Sequence, residues 1–267
     1  MPRDISGYSN PLVKRVKALR DKKARRLEGL FLAEGLRILT EALDTGRAPH
    51  MLWFAPESGR HPLVQQLITA TEDAGGEVFV TSPDILSKLS GKDNPGAVLG
   101  VYEERWTALA DVDRTKSDIW IVAERLRDPG NLGTILRTGD AVGAGGLILI
   151  NDCTDPFSVE AVRASMGALF TQVISKASWA EFMKWLRQGP GQLIGTSLNT
   201  DQDYQAPQYA PPVFLLVGNE SQGLPDTYEA DCDLIVQMPM MGKADSLNAA
   251  VATSVMAYEV LNQLRRR

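Results

Sequence analysis

Three short stretches hold most of the residues able to do chemistry in this chain. The first, ERLRDPGNLGTILRTGDAVGAGG (Glu124 to Gly146), carries Asn131, Gly133 and Arg137 just past an Asp-Pro-Gly turn. The second, FLLVGNESQGLP (Phe214 to Pro225), runs four apolar residues into Gly218-Asn219-Glu220-Ser221-Gln222-Gly223. The third, MPMMGKADSLN, places Gly242, Ser246, Leu247 and Asn248 where an extended segment hands over to a helix. Amides and carboxylates orient groups by hydrogen bonding, and a guanidinium stabilises developing negative charge. No His or Cys lies in the three stretches, so they offer no thiol or imidazole nucleophile or base. Each stretch taken alone is also compatible with ordinary structure. Asn131 or Ser246 can cap a helix, and two glycines can bracket a plain turn. The glycine spacing is neither the three-glycine dinucleotide fingerprint nor a Gly-Lys-Ser/Thr phosphate loop. A nicotinamide cofactor or a triphosphate is therefore a poor fit, whereas an adenosine without phosphates stays compatible.

The elements that must position these stretches are legible as alternating helices and strands. DIWIVAERL is an apolar strand of the kind buried on both faces, followed by helix, strand (GLILIND), helix, strands QLIGTSL, VFLLVGNE and LIVQMPM, and a last helix. This interleaving predicts a largely parallel α/β sheet, whose ligands bind outside the carboxyl ends of the strands. All three stretches fall at such ends. The first part of the chain is expected to hold strands FLAEG, HMLWFA, EVFVTS and AVLGVYEE among helices, with a linker near Asp111–Ser117 in a polar, aperiodic segment.

Composition narrows the class. A chain of 267 residues with 44% hydrophobic and 23% charged residues suits a soluble globular protein of two domains. No apolar run approaches the roughly 20 residues of a membrane span. The first ten residues carry no hydrophobic core segment, and cytoplasmic residence is expected. Two cysteines (Cys153, Cys232) and two histidines (His50, His61) make neither a disulfide framework nor a zinc site, so no metal is expected. The net charge of −5 hides an asymmetry, because residues 1–37 hold ten Lys or Arg against four acids. The helix NPLVKRVKALRDKKARR has an apolar stripe (Leu12, Val13, Val16, Leu19) and an opposite basic side. There Lys14, Lys22, Lys23, Arg25 and Arg26 are candidate phosphate contacts, or simply a solvated face.

Together the three stretches resemble the SpoU/TrmH family of RNA ribose 2′-O-methyltransferases. An Asn-x-Gly followed by Arg (Asn131, Gly133, Arg137) comes first, and a Gly-x-Glu-x-x-Gly loop (Gly218 to Gly223) second. A Pro-Met-x-Gly followed by Ser-Leu-Asn (Pro239 to Gly242, Ser246 to Asn248) completes the order. Asp128 stands where many members have Asn. The resemblance covers Ile119 to about Gln263, and NPLVKRVKALRDKKARR…FLAEGLRIL looks like the substrate-binding module of ribosomal-RNA and related members. It implies an α/β protein with a small α/β RNA-binding module over residues 1–112. Residues 113–267 would form a SPOUT domain, a mostly parallel sheet with a deep trefoil knot. It further implies a pocket for S-adenosylmethionine built from the threaded Ser-Leu-Asn segment, with Gly242 in the same block. Backbone groups of Gly218, Met238 and Leu247 would hold adenine and ribose, with Thr196 nearby. Arg137 would orient the ribose hydroxyl, Asn131 would fix Arg137 or the ribose, and Glu220, Ser246 and Asn248 would organise the catalytic site. A homodimer acting on RNA, ribosomal RNA first, is implied. A transfer-RNA substrate is the nearest alternative. A non-catalytic RNA-binding protein with a degenerate knot domain is opposed by the intact motif residues, and a nicotinamide dehydrogenase by the missing fingerprint.

Overall fold

The computed structural model describes residues 2–267. The chain divides into two compact units, Met1–Glu104 with Asp155–Thr171, and Arg105–Thr154 with Gln172–Arg267. The expected boundary at residue 112 differs from this division in two ways. Residues 105–112 belong to the second unit, and a short excursion of the C-terminal half belongs to the first.

The first unit contains β1 (Arg3–Ile5), α1 (Pro11–Ala18), α2 (Lys22–Glu28), β2 (Leu30–Glu34), α3 (Leu36–Asp44), β3 (Met51–Phe54), α4 (Pro62–Asp73), β4 (Glu77–Thr81), α5 (Pro83–Ser90) and β5 (Val98–Glu103). Its five-stranded sheet runs β1-β4-β3-β5-β2. The short β1 pairs with β4 and has no counterpart in the sequence reading, since three residues give no periodicity. The basic segment read as one helix is two, because Asp21 caps a new helix by accepting from the Lys23 N–H, and Gly29 ends it with φ +66°. The expected apolar stripe is buried, with Val13, Val16 and Leu19 packed in the same core as Trp53, Phe79 and Leu99.

The second unit contains β6 (Ile119–Glu124), α6 (Pro129–Val142), β7 (Gly146–Ile150), then, after α7 (Val159–Ser165) of the first unit, β8 (Val173–Ala177), α8 (Trp179–Leu186), β9 (Gln192–Thr196), β10 (Val213–Val217), α9 (Asp226–Asp231), β11 (Leu234–Val236) and α10 (Ala249–Arg265). All strands are parallel in the order β11-β9-β10-β6-β7-β8. Trp120, Val122, Phe214 and Leu216 face α8 on one side, and Ile119, Val213 and Leu215 face Met256 and Val260 of α10 on the other. Burial on both faces is what makes β6 and β10 read as unbroken apolar runs. The segment expected as a free linker is packed instead. Val112 is buried, and the Arg114 guanidinium lies 3.7 Å from the Trp185 ring while donating to the Leu186 and Pro190 carbonyls. A lone arginine in a polar stretch carries no sequence sign of that burial. Among the described residues no helix is long and apolar enough to cross a membrane.

Candidate active site

The carboxyl ends of β9, β10 and β11 and the amino ends of α6 and α10 surround a cleft of about 990 Å³. The chain reaches it through two helix starts, and in both the cap is a different residue from the one the sequence suggests. Asp128, not Asn131, caps α6 by accepting from the Asn131 N–H at 2.6 Å. Asn248, not Ser246, caps α10, its Oδ1 accepting from the N–H groups of Ala250 (2.9 Å) and Val251 (3.3 Å). Capping by Asp128 frees the Asn131 side chain. Capping by Asn248 leaves the exposed Ser246 hydroxyl on the cleft wall without a hydrogen-bond partner among the described residues.

The three motifs are tied by one chain of hydrogen bonds. Glu220 accepts from the Arg127 N–H (3.2 Å), the Asp128 N–H (3.1 Å) and the Asn131 Nδ2 (3.2 Å). The Asn131 Oδ1 accepts from the Asn248 Nδ2 at 2.8 Å. Both ends of the Asn131 amide therefore make bonds within the protein. Asn131 is the clamp between the second and third motifs. Desolvation pushes the Glu220 carboxyl up, but donation from the Asp128, Glu220 and Arg127 N–H groups and from Asn131 outweighs it and holds the group below the usual carboxylate range.

Gly218 lines the cleft at the end of β10, yet its need for glycine comes from the loop itself. A Cβ there would sit 2.5 Å from the Gly223 carbonyl carbon and 2.8 Å from the Leu224 nitrogen, both backbone atoms that cannot step aside. The close approach is locked by reciprocal Asn219 and Gly223 backbone bonds of 3.1 and 2.9 Å.

Thr196, Met238 and Leu247 also line the cleft, as do Glu220, Asn131, Ser246 and Asn248. Two expected residues do not. Gly242 is exposed beside the cleft with open space around it. Arg137 is exposed on α6 and absent from the lining. Six residues along a helix turn a side chain by about 240° and carry it about 9 Å along the axis, so Asn131 and Arg137 leave α6 in different directions. Sequence reasoning missed Leu198, Asn199 and Glu229, whose side chains complete the wall, with Asn199 Nδ2 donating to Glu229 at 3.3 Å. Leu198 and Asn199 lie just past β9, where the strand-end rule points, whereas Glu229 sits mid-helix on α9 with no local signal.

The wall thus combines apolar side chains (Leu198, Leu224, Val236, Met238, Leu247) with three carboxylates, Asp128, Glu220 and Glu229, against one cation, Arg127. A cleft of mixed polar and apolar lining and of that sign suits a flat base joined to a cationic group and repels polyphosphate.

In the first unit, Lys14, Lys22, Lys23 and Arg26 are exposed, as a phosphate-binding face requires. Arg25 is not. It is 2% exposed, bonds Asp155 through Nε (3.1 Å) and Nη2 (2.6 Å), and donates to the Leu19 and Arg20 carbonyls, both at 2.9 Å. The expectation that it touches RNA is corrected by that burial, which follows from the break between α1 and α2 turning it inward.

A parallel sheet with its polar loops gathered at one set of strand ends, around an acidic cleft of mixed lining, defines a ligand-binding α/β class. The particular family follows from comparison. Residues 118–258 match the SpoU rRNA methylase family, and residues 10–100 match the MRM3-like substrate-binding domain. The chain belongs to the SpoU rRNA methylase family. It is 31% identical over 92% of its length, and 87% of the relative's, to a 23S rRNA (uridine(2479)-2′-O)-methyltransferase of Streptomyces viridochromogenes. It is 26% identical over 97% of its length, and 99% of the relative's, to a 23S rRNA (guanosine(2553)-2′-O)-methyltransferase of Bacillus subtilis. The solved structure of an AdoMet-bound rRNA methyltransferase from Sinorhizobium meliloti superposes with a TM-score of 0.91 at 38% identity, covering 98% of both chains.

Proposed function

We propose that the chain methylates the 2′-hydroxyl of a ribose in ribosomal RNA, with S-adenosylmethionine held in the cleft. The observation that carries this is the acidic cleft, of mixed polar and apolar lining, whose walls are tied together by the Glu220–Asn131–Asn248 hydrogen bonds. Leu198, Val236, Met238 and Leu247 supply apolar surface for adenine. Thr196 and the backbone at Gly218, Met238 and Leu247 supply polar contacts, and the carboxylates suit a ligand with a positive sulfonium. When bound, that cofactor supplies an electrophilic methyl group. The protein's part is to seat the ribose, to stabilise charge as the hydroxyl loses its proton, and to keep the site rigid. Ser246 has a free hydroxyl to orient the ribose, while Glu220 and Asn248 act by holding Asn131 and the loops. Ribosomal RNA is favoured over transfer RNA because the 23S rRNA relatives match across both units, the substrate-binding one included.

Arg137 is the cation this chemistry needs, and it stands off its own cleft. We place it in the cleft of a second copy, which makes the working enzyme a homodimer in the cytoplasm. The exposed apolar residues Met241 (95%) and Val251 (48%), each next in sequence to a lining residue, and Tyr258 (47%) further along α10 fit a face covered by that copy. The fold proposed for the C-terminal segment is the trefoil knot, supported by the loop after β9 clasping the segment after β11. There the Tyr204 N–H donates to the Gln237 carbonyl (3.0 Å) and the Gln237 N–H to the Gln202 carbonyl (2.9 Å).

The test is transfer of labelled methyl from S-adenosylmethionine to 23S rRNA and to transfer RNA, with products digested to nucleosides. A 2′-O-methyl nucleoside from 23S rRNA is expected, lost with Arg137→Ala while S-adenosylhomocysteine still binds. Methylation of a base, or of transfer RNA alone, would overturn the reading.

A further inference from the structure

β6 ends in Glu124, a residue 1% exposed whose Oε1 has no hydrogen-bond partner. Arg125 Nε lies 3.3 Å from that oxygen without the alignment of a hydrogen bond. Burial pushes the carboxyl pKa up, against the pull of Arg125. A buried acid left half-partnered is costly, and an apolar residue would serve the core better at this point. The next residue is strained as well. Arg125 has φ +44°, a left-handed conformation that a side chain with a Cβ rarely adopts. The backbone enforces it from both sides, since the Arg125 N–H donates to the Ile150 carbonyl (3.3 Å) and its carbonyl accepts from Asn219 Nδ2 (2.9 Å). Strain fixed in this way beside a functional loop points to a use for the side chain.

That side chain is 49% exposed, its backbone carbonyl is bonded by Asn219 of the cleft loop, and two residues on Arg127 lines the cleft, 58% exposed and 3.0 Å from Asp152. A cleft walled by carboxylates repels the phosphates on either side of any ribose presented to it. A cationic rim is therefore required, and a guanidinium matches a phosphate's two oxygens. We propose that Arg125 is an RNA-phosphate contact on the rim of the cleft and that buried Glu124 is the positioning residue that holds it there, a reading that rests on the RNA methyl transfer proposed above.

The test uses the full chain as wild type, Arg125→Gln, Glu124→Gln and the double variant. An rRNA fragment is titrated at several salt concentrations, KM and kcat are measured on the same RNA, and S-adenosylhomocysteine affinity is followed by calorimetry. Arg125→Gln is expected to lower the logarithmic salt slope by about 0.7–0.9, one phosphate contact, and to raise KM for RNA with cofactor-product affinity unchanged. Glu124→Gln is expected to raise KM for RNA several-fold without lowering the melting temperature, and to add nothing in the Arg125→Gln background. Arg125→Lys should restore the slope. A wild-type slope and KM for Arg125→Gln would make Arg125 merely the counter-ion of Glu124 and sink the proposal. A Glu124→Gln protein that melts lower but keeps its KM would give Glu124 a purely structural role and sink its half. Failure of the wild type to bind or methylate any RNA would remove the parent reading too, so the two failures are distinguishable.

Discussion

Arg25→Ala separates a buried ion pair from an RNA contact, because the two roles predict opposite outcomes. In the first unit the guanidinium is 3% exposed and Asp155 10%, with 2.6 Å between Nη2 and Oδ2. Removing one partner of a buried pair typically costs about 3–5 kcal/mol, most of it from the charge left behind. The two carbonyls that Arg25 satisfies lose their donors as well, each worth about 1.5–3 kcal/mol, but these losses overlap with the first and do not add. A destabilisation of about 3–5 kcal/mol is therefore expected for the first unit. Hydrogen exchange of the full chain reads it directly, with amides of β2 and β5 exchanging roughly 100- to 4,000-fold faster, since each 1.4 kcal/mol is tenfold. Asp155→Ala should do the same, and the double variant should cost less than the sum. The matching control is Lys22→Ala/Lys23→Ala/Arg26→Ala on the exposed side of α2. It should leave exchange within about 0.5 kcal/mol per site and drop the RNA salt slope by about 0.7–0.9 per contact. If Arg25→Ala exchanges like the wild type and loses one contact's worth of slope, the buried-pair argument is wrong.

Three further outcomes are expected. Gly218→Ala must push the Gly223 carbonyl away, and overpacking of about 1–3 kcal/mol should appear as weaker S-adenosylhomocysteine binding by calorimetry; unchanged affinity would show that the loop adapts. Asn131→Ala and Asn248→Ala should each cut kcat and show a coupling energy of about 0.5–3 kcal/mol in a double-mutant cycle on kcat/KM; additive effects would break the clamp. Glu220 is held low in the folded protein, so its stabilising effect is complete above its unfolded value of about 4.3 and is lost as pH falls through the folded value below that. The melting temperature of Glu220→Gln should accordingly lie below wild type near neutral pH and converge with it in acid, and a gap that stays constant with pH would contradict the assigned ionisation.

How much of this was legible in the sequence depends on the range of the physics behind each feature. The parallel sheet of the second unit announced itself because β6, β7 and β10 are buried on both faces, which writes an apolar run with no long-range information needed. The stripe of Val13, Val16 and Leu19 was equally local. What lay hidden was set by partners far along the chain. Arg25 looks like any other cation of a basic helix until Asp155, 130 residues away, is brought beside it. Arg114 is concealed in the same way, because its burial depends on Trp185 and the carbonyls that follow it.

The site shows the same division at higher resolution. Residue types and order marked all three motifs, since glycines and amides at strand ends are what a close-fitting ligand requires. The division of labour inside each motif could not be read there, because a capping side chain and a clamping one differ only in which donor stands nearby. Both amino-terminal helix turns were available to several polar residues, and the fold assigned them to Asp128 and Asn248. That choice determines the rest. With Asp128 capping, the Asn131 amide is free to bridge Glu220 and Asn248. With Asn248 using its oxygen on the helix, only its amide nitrogen can reach Asn131, which fixes the direction of the bond between them. Ser246, relieved of the cap, keeps its hydroxyl for the cleft. The Ser-Leu-Asn turn therefore does both jobs that its position allows: Asn248 starts the helix and locks the motifs together, and Ser246 and Leu247 face the cleft.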